Sequence, residues 1–230
     1  MNSDKTTPRL LGAAFLIVAV LSVLSGLMLR SVGATLVGPP DNISETMIKI
    51  SDNPTTMQMS SVGFFIEAVG IVLLAVLLYT TLKKQNKIIA RWAFGLWIVE
   101  AVTNAVRGIS AFSLLYTSQE YVKAGAPDSS YFQTLGGLFY ESIQFSYDVL
   151  MVFYCIGGIL FYYLFIKSKY IPKVLPIWGL IAASLGFIGE LFVLFGYAVP
   201  LYVFLPILPF ELAIGLWLMI KGIRDGSETR

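Results

Sequence analysis

Six apolar stretches of roughly twenty residues or more run through this chain, and they constrain its fold more than any other feature. They lie at about residues 10–29, 61–82, 88–116, 137–166, 174–198 and 201–220. A helix of about 20 apolar residues is long enough to cross the ~30 Å hydrocarbon core of a bilayer. Since unpaired backbone polar groups are costly in lipid, each stretch is expected to be a helix. The sequence therefore predicts an all-α fold, a polytopic transmembrane bundle of six spans in a single domain over residues 1–230.

The composition agrees with a membrane protein. The chain is 57% hydrophobic and 13% charged, whereas about a quarter of the residues in a soluble domain are charged. Histidine is absent, and Cys155 is the one cysteine. These absences exclude imidazole metal and haem sites, Ser-His and Cys-His nucleophiles, and disulfides within the chain. No P-loop, GxSxG or dinucleotide motif is present either, so we predict neither a cofactor nor a nucleic acid partner.

The distribution of basic residues predicts the orientation. Three of the sixteen lie in the loops of one side, Arg30, Lys49 and Lys123, and Arg107 lies inside a span. The other twelve lie at the termini and in the loops of the opposite side: Lys5, Arg9, Lys83, Lys84, Lys87, Arg91, Lys167, Lys169, Lys173, Lys221, Arg224 and Arg230. Positive charge favours the cytoplasmic side, so we expect both termini there.

Two loops on the other side carry helix-start signals. Asn42 and Glu45 have capping-box spacing ahead of a short helix that would place Ile43, Met47 and Ile50 on one face. Such a helix either lies in the membrane interface or packs as a lid over the bundle. In the second loop, Asp128 or Ser129 is expected to start the helix that continues into the fourth span.

Polar residues inside the spans are the main candidates for a site. An ionisable group costs ~3 kcal/mol at the centre of a transmembrane helix and usually faces the bundle interior. Seven ionisable residues and two amides lie inside these spans: Glu67, Glu100, Asn104, Arg107, Glu141, Gln144, Asp148, Glu190 and Glu211. A rise of ~1.5 Å per residue places nearly all of them between the midplane and the outer surface.

Two groups of these residues share helix faces. Glu100, Asn104 and Arg107 are at i, i+4 and i+7, while Glu141, Gln144 and Asp148 are at i, i+3 and i+7. We expect the two faces to meet, with Asp148 or Glu100 as the counter-ion of Arg107. Six carboxylates against one guanidinium require that several carry a proton or that the cavity is wet. Either case predicts a pH-sensitive polar cavity that faces outward. The alternative is an ion-pair network that only locks helices together.

Three further patterns in the later spans concern packing. Small residues repeat along the fifth span, at Gly179, Ala182, Ala183, Gly186 and Gly189, which favours close helix contact. Pro206 and Pro209 are expected to kink the sixth span and free backbone carbonyls. Aromatic residues of the fourth span, among them Tyr140, Tyr147 and Tyr154, form a stripe typical of a core.

Three stretches resemble a known family. "ARWAFGLWIVEAV" (90–102), "KSKYIPKVLPIWGLIA" (167–182) and "LPFELAIGLWLMIKG" (208–222) are similar to segments of an uncharacterised prokaryotic integral membrane protein family, domain of unknown function 4386. The similarity extends over about residues 8–223. It implies the cytoplasmic membrane of a bacterium or archaeon and a single domain, and it favours Glu100 and Glu211, which lie in the similar stretches. It implies no activity, substrate or cofactor.

A second likeness fails. Tyr147-Asp148 together with "GFIGE" (186–190) is similar to the paired motifs of presenilin-like intramembrane aspartyl proteases. That family requires two aspartates, the second in a Gly-x-Gly-Asp setting. Here the second acid is Glu190 after Gly-x-x-Gly, so the motif does not match.

Three functions remain open. The first is a small carrier or binding protein for a polar solute, cation or proton, for which six spans suggest a homodimer. The second is an intramembrane enzyme that uses paired carboxylates for acid–base chemistry or to hold a divalent metal, on a lipid-borne substrate. The third is an accessory or regulatory subunit with a purely structural polar network. Neutralising Asp148 or Glu100 separates them: it abolishes binding, abolishes activity or only lowers stability.

Overall fold

The computed structural model describes residues 6–34, 42–127 and 131–223, and every regular element within them is helical. The α-helices are α1 (Thr6–Ser31), α2 (Ile43–Asp52), α3 (Pro54–Leu82), α4 (Lys87–Lys123), α5 (Tyr131–Ser168), α6 (Val174–Leu194) and α7 (Ile207–Lys221). A 3-10 turn, Leu201–Val203, precedes α7. By length and composition, six helical segments are able to cross a membrane: α1, α3, α4, α5, α6 and Leu201–Lys221. The predicted six-span, all-α fold is confirmed.

Several helices extend beyond the predicted apolar stretches. α3 begins at Pro54 rather than near residue 61, and α4 continues to Lys123 rather than ending near residue 116. Hydropathy identifies only the part of a helix that crosses the hydrocarbon, whereas capping residues determine where the helix begins and ends. Pro54 occupies a first helical position, where its missing N–H costs nothing. The Asn86 side chain caps α4 by accepting hydrogen bonds from the backbone N–H groups of Ile88 and Ile89, at 3.0 and 3.1 Å.

The short helix α2 forms as predicted and packs as a lid. Asn42 caps it, with Oδ1 accepting from Ser44 N at 3.0 Å and Glu45 N at 3.4 Å. Met47 and Ile50 are fully buried in a cluster that includes Leu29 of α1, Phe64 of α3 and Tyr140 of α5. This burial supports packing against the other helices rather than an interfacial position. The predicted helix start at Asp128 or Ser129 lies outside the described residues, and α5 is described from Tyr131.

The sixth span differs from the prediction of one continuous, kinked helix over residues 201–220. Its α-helix begins only at Ile207, with Pro206 at the N-cap position and Pro209 in the first turn. Prolines are tolerated there because the first N–H groups of a helix have no intrahelical partner. Pro206 and Pro209 therefore start the helix rather than kink it. The fifth span is also shorter than predicted, since α6 ends at Leu194 instead of residue 198.

The contacts divide the chain into two compact units. The first unit comprises Met1–Ala19, Val69–Ala101 and Asp148–Arg230; the second comprises Val20–Ala68 and Val102–Tyr147. α1, α3, α4 and α5 each contribute a segment to both units.

Small residues bring helices together in the first unit. A Cβ on Gly12 of α1 would collide with backbone atoms of Met219 and Gly215 in α7. The stripe predicted in α6 is buried at all five positions. A Cβ on Gly179 would meet the Phe210 ring at under 3 Å, while one on Gly186 would lie 3.1 Å from Cys155 Sγ. The stripe is therefore a packing surface, as predicted, in which small residues permit close approach between helices.

Candidate functional site

The nine candidate residues fall into two groups, one in each unit. The first unit contains four acids, which we call the acidic cluster: Glu100, Asp148, Glu190 and Glu211. The second unit contains the other five: Glu67, Asn104, Arg107, Glu141 and Gln144. Among the latter, Glu67, Asn104 and Arg107 are buried, and the rings of Phe64 and Tyr147 contact Arg107. We call these five residues the arginine cluster. That all nine line one outward-facing cavity stays a prediction.

In the acidic cluster, the carboxyl groups of Asp148 of α5 and Glu190 of α6 lie within hydrogen-bonding range of each other. Glu190 is only 2% exposed, and Asp148 is partly exposed. Two ionised carboxylates are both acceptors, so a hydrogen bond between them contains one proton. Such a pair binds and releases that proton as a unit rather than as two independent groups.

Tyrosine hydroxyls surround a second acid of this cluster. The Tyr154 hydroxyl donates a 2.8 Å hydrogen bond to Glu211 Oε1. The Tyr162 hydroxyl lies beside that of Tyr154 and within electrostatic range of Glu211 and Glu100. Glu100, Glu190 and Glu211 all act on the buried thiol of Cys155. The acids of α4, α6 and α7 are thus gathered around one short segment of α5.

Trp97 of α4 fixes the position of that segment. Its indole Nε1 donates to the Tyr154 carbonyl oxygen at 3.1 Å. The indole stacks on the Tyr154 ring, with centroids 6.0 Å apart and planes 7° apart, and meets Phe161 edge-on at 5.0 Å. Gly157 permits this approach, because a Cβ there would collide with the indole. The sequence therefore supplies a rigid aromatic support for Tyr154 and its bond to Glu211.

The arginine cluster is built differently. The Arg107 guanidinium lies between two rings, 4.2 Å from the Phe64 centroid and 4.8 Å from the Tyr147 centroid. Such cation–π contacts contribute up to about 2 kcal/mol each where water is excluded. Arg107 also acts electrostatically on Glu67, so this unit contains a cation within electrostatic range of a buried acid.

Asn104 connects the acid of this cluster to the backbone. Its amide Nδ2 donates to the Phe64 carbonyl oxygen at 3.2 Å, and its side chain is hydrogen-bonded to Glu67, which also bonds Ser22. Asn104 and Glu67 are 1% and 7% exposed. The arrangement links polar groups of α1, α3 and α4, of which Glu67 and Asn104 are buried, and such links help to hold transmembrane helices together.

The predicted face of Glu141, Gln144 and Asp148 does not behave as one surface. Glu141 is exposed, whereas Gln144 and Asp148 are partly buried. The structure places Asp148 against Glu190, but no described contact brings Glu141 to another candidate. The expected pairing of Arg107 with Asp148 or Glu100 stays a prediction.

Four aromatic residues of the two clusters are not predicted as site residues by the sequence. The sequence pattern places Tyr147 and Tyr154 in a core stripe and predicts no role for Trp97 and Tyr162. Tyr147, Tyr154 and Tyr162 are spaced by seven and eight residues in α5, so they share a helix face with their hydroxyls. Repeated tyrosine on such a face, beside Asp148, is a signal that could have indicated polar ring edges in the site.

Some buried polar atoms make no hydrogen bond within the described part of the protein. They include Glu190 Oε1, Glu67 Oε2 and Asn104 Oδ1. No three Asp, Glu, Cys or His side chains converge as a possible metal site in residues 6–34, 42–127 and 131–223. The acidic cluster is therefore a carboxyl pair with further acids at longer range, not a three-carboxylate chelate.

These long apolar helices with buried acids and a buried arginine define a multi-pass helical membrane protein. Within that class, the chain belongs to the family described as domain of unknown function DUF4386, which matches residues 10–222. The resemblance found in the three sequence stretches is thereby confirmed. No curated protein matches the chain, and no solved structure matches it.

Proposed function

We propose that the protein binds a proton or a small monovalent cation in the acidic cluster and carries it across the membrane. The observation that supports this function is the pair of Asp148 and Glu190, whose carboxyl groups lie within hydrogen-bonding range of each other. Acids inside transmembrane segments typically belong to proton relays or ion pathways. A carboxyl pair that holds one proton provides a site where proton release leaves a negative charge for a cation.

The neighbouring groups suit proton transfer. The Tyr154 hydroxyl donates to Glu211, and the Tyr162 hydroxyl lies beside Tyr154. Because a hydroxyl both donates and accepts, Tyr154 is able to exchange a proton with Glu211, whereas the Tyr162 hydroxyl makes no hydrogen bond among the described residues. A proton also needs no large cavity, which agrees with the full burial of the Tyr162 and Trp97 side chains.

The ligand set favours a proton or a monovalent cation over a divalent one. Ca²⁺ takes six to eight oxygen ligands, and Mg²⁺ takes six in a strict octahedron. Asp148 and Glu190 provide one carboxyl pair, and no third acid converges with them as a metal ligand among the described residues. Calcium or magnesium is therefore a less suitable ligand of this cluster than a proton or a monovalent cation.

The experiment compares matched neutral variants. Asp148→Asn and Glu190→Gln remove the acids of the pair, while Glu141→Gln neutralises an exposed acid on the same helix as Asp148. Each protein is reconstituted in vesicles with an internal pH dye, and ion flux is measured across pH 4–9 with a panel of monovalent cations. We expect flux in the wild type and Glu141→Gln, and a loss of at least about tenfold in both pair variants, equal to ~1.4 kcal/mol.

Thermal stability in detergent separates function from folding. A cation that stabilises the wild type and Glu141→Gln but neither pair variant supports binding at the pair. Pair variants that carry ions normally, or a wild type with neither flux nor a cation response, would contradict the proposal. The last result would favour a structural or accessory role.

The same pair supports a second function, an intramembrane enzyme that uses acid–base catalysis. One carboxyl of a proton-sharing pair acts as a base while the other acts as an acid. A lipid-borne substrate that is converted by the wild type but by neither pair variant, in the absence of ion flux, would favour this reading.

We also propose an orientation in the membrane and a location in the cell. Twelve basic residues at one end of the spans support cytoplasmic termini and an outward-facing cluster. The family supports the cytoplasmic membrane of a bacterium or archaeon, and six spans favour a homodimer. Reporter fusions at the C-terminus test the orientation.

A further inference from the structure

A groove on α4 is lined by residues that belong to neither cluster. It is lined by Arg91, Trp92, Gly95, Leu96 and Val99, all in the first unit, and has a volume of about 330 Å³. From Arg91 to Val99 the groove follows about two turns of helix, or ~12 Å along its axis. Apart from the guanidinium of Arg91, its walls are apolar or aromatic. The groove therefore has a charged end and an apolar body.

Gly95 gives the groove its depth. A Cβ built on Gly95 would meet no heavy atom within 4 Å, so no packing contact explains the glycine. A glycine inside an exposed helix costs about 0.5–1 kcal/mol relative to alanine. The missing side chain leaves open space between Trp92 and Val99, which are 67% and 41% exposed.

The charged end of the groove belongs to a larger basic surface. Lys83, Lys84, Lys87 and Arg91 are all exposed in the first unit. No acidic residue lies between Glu67 and Glu100 in the sequence, so nothing within this segment neutralises them. Arg and Trp together are typical of the level where lipid headgroups meet hydrocarbon.

We propose that this groove binds one anionic phospholipid, with its phosphate on Arg91 and an acyl chain along Gly95, Leu96 and Val99. Charge complementarity identifies the occupant. Four clustered basic residues attract an anionic headgroup, with each Lys or Arg near a membrane surface adding to the attraction. The apolar floor excludes a free inorganic anion, since it offers that anion no second polar partner.

Two substitutions separate groove filling from charge removal. Gly95→Leu places a side chain in the open space of the groove without displacing a neighbour. Gly137→Leu is its matched control, because Gly137 also lies inside a helix with no heavy atom near its Cβ. Arg91→Gln removes the charge that would hold the phosphate.

Native mass spectrometry of the purified full chain counts the lipids that each protein retains from mixed micelles of phosphatidylglycerol and phosphatidylcholine. We expect the wild type and Gly137→Leu to retain one phosphatidylglycerol in preference to phosphatidylcholine. Gly95→Leu and Arg91→Gln should each weaken this retention about fivefold. Melting temperatures should rise with phosphatidylglycerol in the wild type but not with inorganic phosphate.

Three results would overturn the proposal. Equal retention of both lipids by the wild type would show an ordinary lipid-facing surface with no headgroup preference. Equal losses in Gly95→Leu and Gly137→Leu would show a general effect of leucine on helices. Stabilisation by inorganic phosphate alone would place the anion elsewhere, on the exposed lysines.

Discussion

The arginine cluster and the acidic cluster both bury charged groups inside transmembrane helices, but they compensate those groups differently. In the arginine cluster, the guanidinium of Arg107 lies between two aromatic rings and acts on Glu67. In the acidic cluster, the partner of Glu190 is another acid, Asp148. The first arrangement contains its own counter-charge. The acidic cluster instead depends on a proton that its two carboxyl groups share and that is able to dissociate.

This difference indicates which cluster responds to its surroundings. A buried ion pair is destabilised strongly when one partner is removed, because the other charge remains buried. A carboxyl pair that shares a proton tolerates an amide in place of one acid, because the amide also donates a hydrogen bond. We therefore expect changes in the arginine cluster to affect mainly folding, and changes in the acidic cluster to affect mainly binding.

The largest effect is expected for Arg107→Ala. The substitution leaves Glu67 buried without the cation that acts on it and empties the space between the Phe64 and Tyr147 rings. The two cation–π contacts that are lost contribute up to about 2 kcal/mol each, so we expect a destabilisation of about 3–4 kcal/mol. Unfolding of the purified protein in a titration of denaturing detergent measures the loss.

Arg30→Ala is the control for Arg107→Ala, since Arg30 is an exposed arginine of α1 that belongs to neither cluster nor the groove. Surface substitutions usually change stability by less than about 0.5 kcal/mol. If Arg107→Ala folds as stably as Arg30→Ala but loses ion flux, the arginine cluster is part of the site and the proposed contrast between the two clusters is wrong.

The two clusters also show which features of the structure the sequence predicts and which it does not. The spans, the Asn42 cap and the packing stripe of α6 follow from local patterns, because hydropathy and helix caps act within one or two turns. The contacts between side chains of different helices do not follow from such local patterns. Tyr154 and Glu211 are 57 residues apart in the chain, and Asn104 and Phe64 are 40 residues apart. Spacing within one helix does not fix how that helix rotates against another.

Glu141 illustrates the same limit. It shares a predicted face with Asp148, yet its side chain is exposed while Asp148 contacts Glu190. A face spanning seven residues covers almost two turns, so its two ends meet different neighbours. Pro206 and Pro209 are a similar case. The sequence predicts a kink at these prolines within an apolar run, but the helix begins beside them.

An intermediate effect is expected for Tyr154→Phe in the acidic cluster. It removes the hydroxyl that donates to Glu211 at 2.8 Å and keeps the ring that stacks on Trp97. Hydrogen bonds between transmembrane helices contribute on average about 0.6 kcal/mol and at most about 1.7. We expect a stability loss in that range, measured by detergent unfolding, together with reduced proton or cation flux.

Tyr163→Phe provides the control for Tyr154→Phe, because Tyr163 is a nearby tyrosine on the same helix and is 45% exposed. It should leave both stability and flux unchanged. Equal flux in the two variants would remove Tyr154 from the proposed proton path and leave it a packing role.

The smallest effect is expected for Ser60→Ala in the second unit. The Ser60 hydroxyl donates a 2.8 Å hydrogen bond to the Ser25 carbonyl oxygen and so links α3 to α1. Its loss should cost about 0.6 kcal/mol, the average for such bonds in membranes, with ion flux unchanged. The partly exposed Ser113, whose hydroxyl bonds within its own helix, is the matched site for an alanine control. Because Ser60 and Tyr154 each contribute one hydrogen bond between helices, their stability losses should be similar and only their fluxes should differ. A flux defect in Ser60→Ala would show that helix packing alone controls transport, and the distinction between the two clusters would then fail.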